Sequence, residues 1–463
     1  MLSIIQALFS GFFIWLGFAP AELWFAPFIA LGILFHCLAE RNVLQRISLL
    51  FLSGFTFFLL LLHWSSTYVG ALPWLILVFG QATIFSSLGI LPLRSNAFGA
   101  LTFASSFTLI ELIRMKFPFG GFGWGRIGFT QIDAFSGLYP LIGVTGVTVM
   151  VALSSLVFVN IPARLIFGGI TFVAFLMPQL GSDPISTLRI AAIQGGVDNL
   201  GLDFNDRALS VLNRHISATK SVSDVDLIIW PENASDVDPV RNSVAKSSIT
   251  KLVSEKQIPL LVGAVENSQT GPMNSSLYYD ASGLVVSRYV KQDLAPFGEY
   301  IPMRNVAERI SAYARDVRDF QPGNSWVKHS VMGVPFQSII CFEILDDDHI
   351  RAGSRGTGFL VAQTNNATFG KSSEAAQQLQ ITRVRAAELG RDIAVVSTTG
   401  FTAHIGSHGE IRTVAPQFET TALRMVVRAV DPQRQTPASS IPTGAWFAFL
   451  GCLLAATTWL NRR

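Results

Sequence analysis

Charge is what this 463-residue chain has least of. Charged residues make up 14% of it, against a soluble norm of about 25%. The formal net charge is only +3, so no basic field claims a nucleic-acid backbone and no nucleic-acid partner is expected. Cysteine is also scarce, at three residues. Cys37, Cys341 and Cys452 form no CxxC pair and no Cys/His cluster, which argues against a zinc site or a disulfide framework. What abounds is apolar. Half of the residues (50%) are hydrophobic and mean hydropathy is +0.43. That composition excludes a disordered chain and an ordinary cytosolic enzyme.

The few charges are unevenly placed. Only eleven of the 34 Lys/Arg and 31 Asp/Glu residues fall within 1–180. A membrane-type block therefore precedes a soluble-type block, and one more apolar run closes the chain. A bilayer core of about 30 Å takes about 20 apolar residues per helix. Eight spans are predicted, near 2–18, 23–39, 47–63, 72–92, 97–115, 136–159, 163–179 and 442–460. The first lacks a basic n-region and the apolar pattern continues past Ala19-Pro20, so it is expected to be retained rather than cleaved. With the N-terminus inside, Arg41, Arg46, Arg94, Arg164, Arg462 and Arg463 fall on the inner side. Lys116 and Arg126 fall outside, with Arg114 at a span edge. This bias predicts an extracytoplasmic soluble block. The expected domains are 1–180 with seven helices, 181–441 as the catalytic block, and 442–463 as the last helix and tail. Glu111 and Arg114, three apart on one helix, are expected to form an interfacial pair that shares the cost of burial, or else to give a cleft a polar lining. The Gly- and aromatic-rich stretch Lys116–Asp133 is expected at the headgroup layer, as an aromatic belt or a lipid-facing wall.

The soluble block alternates β-rich runs with helical ones. Strands are predicted at 188–194, 226–230, 259–265, 276–280, 284–290, 336–340, 358–363, 393–398, 401–406 and 424–430, and helices near 204–220, 239–257 and 374–391. This pattern implies an α/β layered domain with mixed sheets. Three polar residues stand just past apolar strands: Glu232 after DLIIWP, Lys291 after LVVSRYV and Cys341 after FQSII. Loops at strand ends carry the chemistry in such folds. Singly, each residue reads as a solvated acid, a surface lysine or a buried thiol. Together they make a coherent set. A thiol with an unperturbed pKa near 8.5 needs a base to take its proton, and Glu232 can serve. Lys291 can steady the oxyanion of a tetrahedral intermediate and favour the thiolate. His404 and His408 lie in a later hairpin and are expected to be structural.

These frames resemble the nitrilase superfamily, on IWPEN (229–233), YVKQDLAPFGEYIP (289–302) and ICFE (340–343). Joined to a multispan block, with the FAP turn at 18–20, GFTQID (128–133), NNATFG (365–370) and RVRAAELGR (383–391), the chain is similar to the apolipoprotein N-acyltransferases over nearly its whole length. The resemblance implies a membrane helical bundle of about eight spans and an extracytoplasmic nitrilase-like αββα sandwich. It implies Cys341 as nucleophile, Glu232 as base and Lys291 as stabiliser of the intermediate. Glu299 would orient the lysine and thiol, and Glu343 would hold the turn at the nucleophile. It further implies acyl transfer from a phospholipid such as phosphatidylethanolamine to the diacylglyceryl-cysteine of an apolipoprotein. The setting would be the bacterial inner membrane, multi-pass, and no cofactor or metal would be needed. Phe342, Thr368, Gln378 and the turn Ser397–Gly400 depart from the family's usual residues and bear on substrate fit. The apolar stretch Val361–Phe369 is expected to act as a lid. A membrane-tethered amidase using water, and a transporter or scaffold with an inactive domain, are the competing classes.

Overall fold

The computed structural model describes residues 1–179, 183–201, 208–310 and 313–462. The chain separates into two compact units, Met1–Leu180 with Thr436–Arg463, and Gly181–Gln435. The expected boundary between residues 180 and 181 lies outside the described residues.

The first unit is helical. Among the described residues, five helical runs are long and apolar enough to cross a membrane: Val43–Leu61, Ala71–Ile90, Ala97–Lys116, Ile127–Phe158 and Thr443–Asn461. Leu2–Leu16, Ala26–Leu38 and Ile161–Leu176 are apolar but shorter. Asn42, Asn96 and Asn160 cap three of these helices by accepting a backbone N–H three residues on.

Two expectations for this unit change. Glu111 and Arg114 are deeply buried. Glu111 accepts the Ile127 N–H at 2.7 Å and the Thr148 hydroxyl at 2.9 Å. Arg114 donates to Gln81 Oε1 at 2.6 Å and to the Trp124 carbonyl at 2.8 Å, with its guanidinium over the Phe58 ring. The stretch read as an aromatic belt or a lipid-facing wall is mostly interior: Trp124, Arg126, Ile127 and Phe129 are all buried, while its two ends, at Phe117 and Phe119 and at Asp133, are exposed. The reason is backbone bookkeeping. An irregular segment inside an apolar bundle must find partners for its amides and carbonyls, and Glu111, Arg114 and Thr148 supply them.

Among its described residues the second unit holds twelve strands: β1 (Ser186–Gln194), β2 (Leu227–Ile229), β3 (Leu260–Asn267), β4 (Pro272–Tyr279), β5 (Val285–Val290), β6 (His329–Val331), β7 (Val334–Ile340), β8 (Phe359–Thr364), β9 (Ile393–Ser397), β10 (Ala403–Ile405), β11 (Ile411–Val414) and β12 (Thr421–Ala429). They form two six-stranded sheets, β12-β1-β2-β3-β4-β5 and β11-β10-β9-β8-β7-β6. Each has a parallel centre (β1-β2-β3 and β7-β8-β9) flanked by antiparallel strands. One face of each sheet meets the other through Ile190, Ile229, Phe336, Phe359, Val361, Val396 and Val427. The outer face of the first sheet packs Ile193, Ile228 and Val262 on the helices Ser210–Thr219 and Ser243–Lys256 through Leu212, Ile249 and Val253. Helices Asp347–Ser354 and Glu374–Leu389 pack against the second sheet. The layers are therefore αββα. Central strands covered on both faces need continuous apolar runs, as in LRIAAIQ and FLVAQT.

All ten predicted strands are present, with shifted ends. The predicted helix 204–220 is described at Ser210–Thr219; its residues 204–207 lie outside the described residues. Val361–Phe369 is no lid. Its first half is the buried strand β8 and its second half a short 3-10 turn, Ala367–Phe369.

Candidate active site

The C-terminal ends of β2, β5 and β7 deliver the site. Glu232 follows β2 by three residues, and the next residue, Asn233, takes a left-handed conformation (φ +55°) that turns the chain away. Gly263 on β3 leaves room for this turn: a Cβ there would stand 2.2 Å from the Pro231 carbonyl oxygen. Lys291 directly follows β5. Cys341 directly follows β7 and is itself left-handed (φ +49°), a conformation costing a non-glycine residue about 1–2 kcal/mol. The 3-10 turn Cys341–Leu345 continues from it.

The Lys291 ammonium lies 2.8 Å from Glu299 Oε2 and 3.6 Å from Glu232 Oε1; Lys291 and Glu232 are buried and Glu299 is partly so. Asn274 on β4 donates its amide to both carboxylates, at 2.6 Å to Glu232 and 2.8 Å to Glu299. The Ala295 N–H donates to Glu299 Oε2 at 2.8 Å. Two acids are thus held around one base, so each ionised form has a partner. Burial pushes the Glu232 carboxyl up; Lys291 works against this and Glu299 adds to it. Burial disfavours the Lys291 ammonium, but Glu299, Glu232 and Cys341 outweigh it, and its proton is held more tightly than usual.

Cys341 is partly exposed. Its thiol is pushed well above the ordinary range by burial and by Glu232, with Lys291 opposing and Glu374 and Glu299 adding. At rest, then, the sulfur keeps its proton. The arrangement suits a base that takes the proton only as the sulfur attacks.

Glu343 does not join these groups. Its Oε2 accepts the Ile340 N–H at 2.8 Å. Its Oε1 accepts the Gln292 N–H at 2.8 Å and the Tyr289 hydroxyl at 2.7 Å, and faces His349 Nε2 at 3.2 Å. One carboxylate therefore ties the residue before Cys341 to the residue after Lys291. Burial alone would raise its proton affinity; His349 and the two N–H groups reverse this and hold it below the usual range. Arg385 fixes the same turn from behind. It donates to the carbonyls of Ile344 at 2.9 Å and Leu345 at 3.0 Å, and pairs with Asp347 and Glu388. His404 is elsewhere, paired with Asp392 at 2.9 Å. Among the described residues, no three His, Cys, Asp or Glu side chains are grouped as metal ligands.

Sequence reasoning missed Asn274 and a second polar group beside the thiol. Asn366, after β8, donates to Glu374 Oε2 at 2.7 Å and Gln378 Oε1 at 3.0 Å. Glu374 is buried, and burial, only partly offset by Asn366, lifts its carboxyl to about 8. Folded protein therefore keeps a proton there that the unfolded chain gives up near 4.5. Between about pH 4.5 and 8 this group should make stability fall as pH rises, by up to about 1.4 kcal/mol per unit. Glu374→Gln, which still accepts from Asn366, should flatten that part of the slope. Thermal unfolding of parent and variant across this window checks it; identical slopes would contradict it.

Residues 10–157 match the family model described as the apolipoprotein N-acyltransferase N-terminal domain, and residues 189–438 match carbon-nitrogen hydrolase. An apolipoprotein N-acyltransferase of Mycolicibacterium smegmatis is 30% identical, over 87% of this chain and 76% of that protein. The chain belongs to the apolipoprotein N-acyltransferase family. It is thus an acyltransferase with a nitrilase-like second unit. The apolipoprotein N-acyltransferase of Vibrio vulnificus is 26% identical over 99% of this chain and 97% of its own length. Among solved structures, a variant of the Nesterenkonia AN1 amidase of the nitrilase superfamily aligns with 57% of this chain and 97% of its own, at 16% identity and a TM-score of 0.41.

Proposed function

We propose that this chain N-acylates the diacylglyceryl-cysteine at the amino terminus of bacterial lipoproteins, using a membrane phospholipid, phosphatidylethanolamine by preference, as acyl donor. In the first half-reaction the Cys341 sulfur bonds to the ester carbonyl carbon while its proton passes to Glu232. Lys291 balances the oxyanion. The C–O bond then breaks, and Glu232 returns the proton to the departing lysophospholipid oxygen. In the second half, the α-amine attacks the thioester carbon, the C–S bond breaks with its electron pair going to sulfur, and a proton from the nitrogen passes through Glu232 to restore the thiol. Glu299 keeps Lys291 in place, and Glu343 holds the turn that presents the sulfur.

The observation that carries this proposal is the buried Glu232–Lys291–Glu299 cluster at strand ends beside a left-handed Cys341, in a chain of this family. The Lys/Arg bias of the short loops supports eight spans in a bacterial inner membrane, with the second unit on the extracytoplasmic side. Tethering suits the substrates. Each CH₂ of an acyl chain costs about 0.8 kcal/mol to draw into water, so a membrane-held site need move only a headgroup and an ester.

The test is a donor-only experiment. Purified full-length protein mixed with phospholipid should release lysophospholipid in a burst close to one per enzyme and then stall. Adding a diacylglyceryl-cysteine peptide should restart release. Continuous release of free fatty acid without the peptide would instead assign a hydrolase that uses water.

A further inference from the structure

Behind the thiol, the helix Glu374–Leu389 presents Gln378, whose Nε2 lies 3.8 Å from Cys341 Sγ. In the structure that amide turns its NH₂ toward the sulfur, at one end of a chain of hydrogen bonds that starts at Gly400. The Gly400 backbone N–H can only donate, and it donates to Ser397 Oγ at 2.9 Å. The Ser397 hydroxyl then gives its own proton to Asn366 Oδ1 at 2.5 Å, where the Thr364 hydroxyl also donates at 3.1 Å. Asn366 turns its NH₂ toward the helix, where it donates to Glu374 Oε2 at 2.7 Å and to Gln378 Oε1 at 3.0 Å. That leaves the Gln378 NH₂ pointing at the sulfur. The flipped amide would set donor against donor at Asn366 and offer the sulfur a carbonyl oxygen.

We propose that Gln378 is a further catalytic residue, whose amide N–H stabilises the Cys341 sulfur as its negative charge develops, and that Asn366 is the positioning residue that holds the amide in this sense. The proposal rests on the reading of Cys341 as nucleophile. Its value to the reaction follows from the charges around the thiol. Glu232, Glu374 and Glu299 all disfavour a thiolate, and Lys291 opposes them. Lys291 is itself drawn toward Glu299 and Glu232. A neutral donor at the sulfur adds stabilisation without adding a charge that those carboxylates would capture. It acts twice: when the sulfur loses its proton to Glu232, and when the C–S bond breaks and its electron pair returns to sulfur.

The test reads the thiol directly and does not require acyl transfer. The full-length protein is alkylated with iodoacetamide at several pH values, and modification of Cys341 is followed by peptide mass spectrometry, which counts Cys37 and Cys452 separately. Gln378→Met keeps the bulk and removes the donor, while Glu232, Lys291, Glu299 and Glu374 stay as they are. It should lower the alkylation rate at a fixed pH below the thiol midpoint about tenfold, one unit in thiol pKa. Gln378→His, whose ring N–H can donate from a similar reach, should restore much of that rate. Ser397→Ala frees one end of the chain of bonds and should give a smaller loss in the same direction; it decides the matter if Gln378→Met does not fold. An unchanged alkylation rate in folded Gln378→Met, or in Ser397→Ala where the first is unfolded, overturns the proposal. If the parent transfers no acyl group yet Gln378→Met still slows alkylation, the lipoprotein reading fails and the amide–sulfur contact stands. Transfer by the parent with no alkylation effect is the reverse.

Discussion

Lys291→Met should be the most damaging single substitution in the site, in both stability and activity. The ammonium is buried between Glu232 and Glu299, and Asn274 is shared by the same two carboxylates. Removing it leaves two acids close together with no counter-charge. Breaking a buried pair from one side costs on the order of 3–5 kcal/mol. The loss should depend on pH in a set direction. Without the cation the Glu232 carboxyl is pushed up further, so the folded state binds a proton that the unfolded chain releases. Stability of the variant should then be best below about pH 4.5 and decline as pH rises toward neutrality. Acyl transfer should fall by at least the 10²–10³ seen when one oxyanion partner is lost. Unfolding curves at pH 5 and 8 check the first part. A variant as stable as the parent at pH 8, still forming product, would remove Lys291 from its assigned place.

Glu232→Gln should separate two properties that usually move together. The amide still accepts from Asn274, and Lys291 still has Glu299, so the fold should survive. The reaction should not. With no base to receive the thiol proton, acylation should fall on the order of 10²–10⁴. Yet Glu232 is one of the charges that hold the Cys341 thiol protonated. Removing it should let the thiol ionise more easily, so alkylation by iodoacetamide should speed up while acyl transfer collapses. A merely structural Glu232 would slow both or neither.

Much of this arrangement was legible in the sequence because strands covered on both faces are written as unbroken apolar runs. The polar residue that ends such a run is conspicuous. Glu232, Lys291 and Cys341 stood out that way, and the structure places each of them at a strand end. The strands β6 and β11 escaped because they are edge strands of three and four residues, too short for any alternation to register. Asn274 escaped for a different reason. In PMNSSLYY it reads as one polar residue among several, and its value arises only when Glu232 and Glu299, distant in sequence, both come to its amide. Glu374 reads as an ordinary first-turn helix acid. Nothing local says that it is buried beside Asn366. Gln378 showed only as a departure from a family pattern. The segment through Trp124 and Arg126 misled because aromatic and glycine content is the same for a headgroup belt and for a packed, irregular interior; Glu111 and Thr148, which decide between them, lie on other helices.

One measurement reaches the central claim most directly: the mass of the peptide containing Cys341 after the full-length protein meets phospholipid with no acceptor present. The account predicts a mass increase of one acyl group on that peptide alone, absent in Cys341→Ala and in Glu232→Gln, and discharged onto the amine when a diacylglyceryl-cysteine peptide is added. Acyl transfer that proceeds with no adduct on Cys341, or that persists in Cys341→Ala, would contradict it.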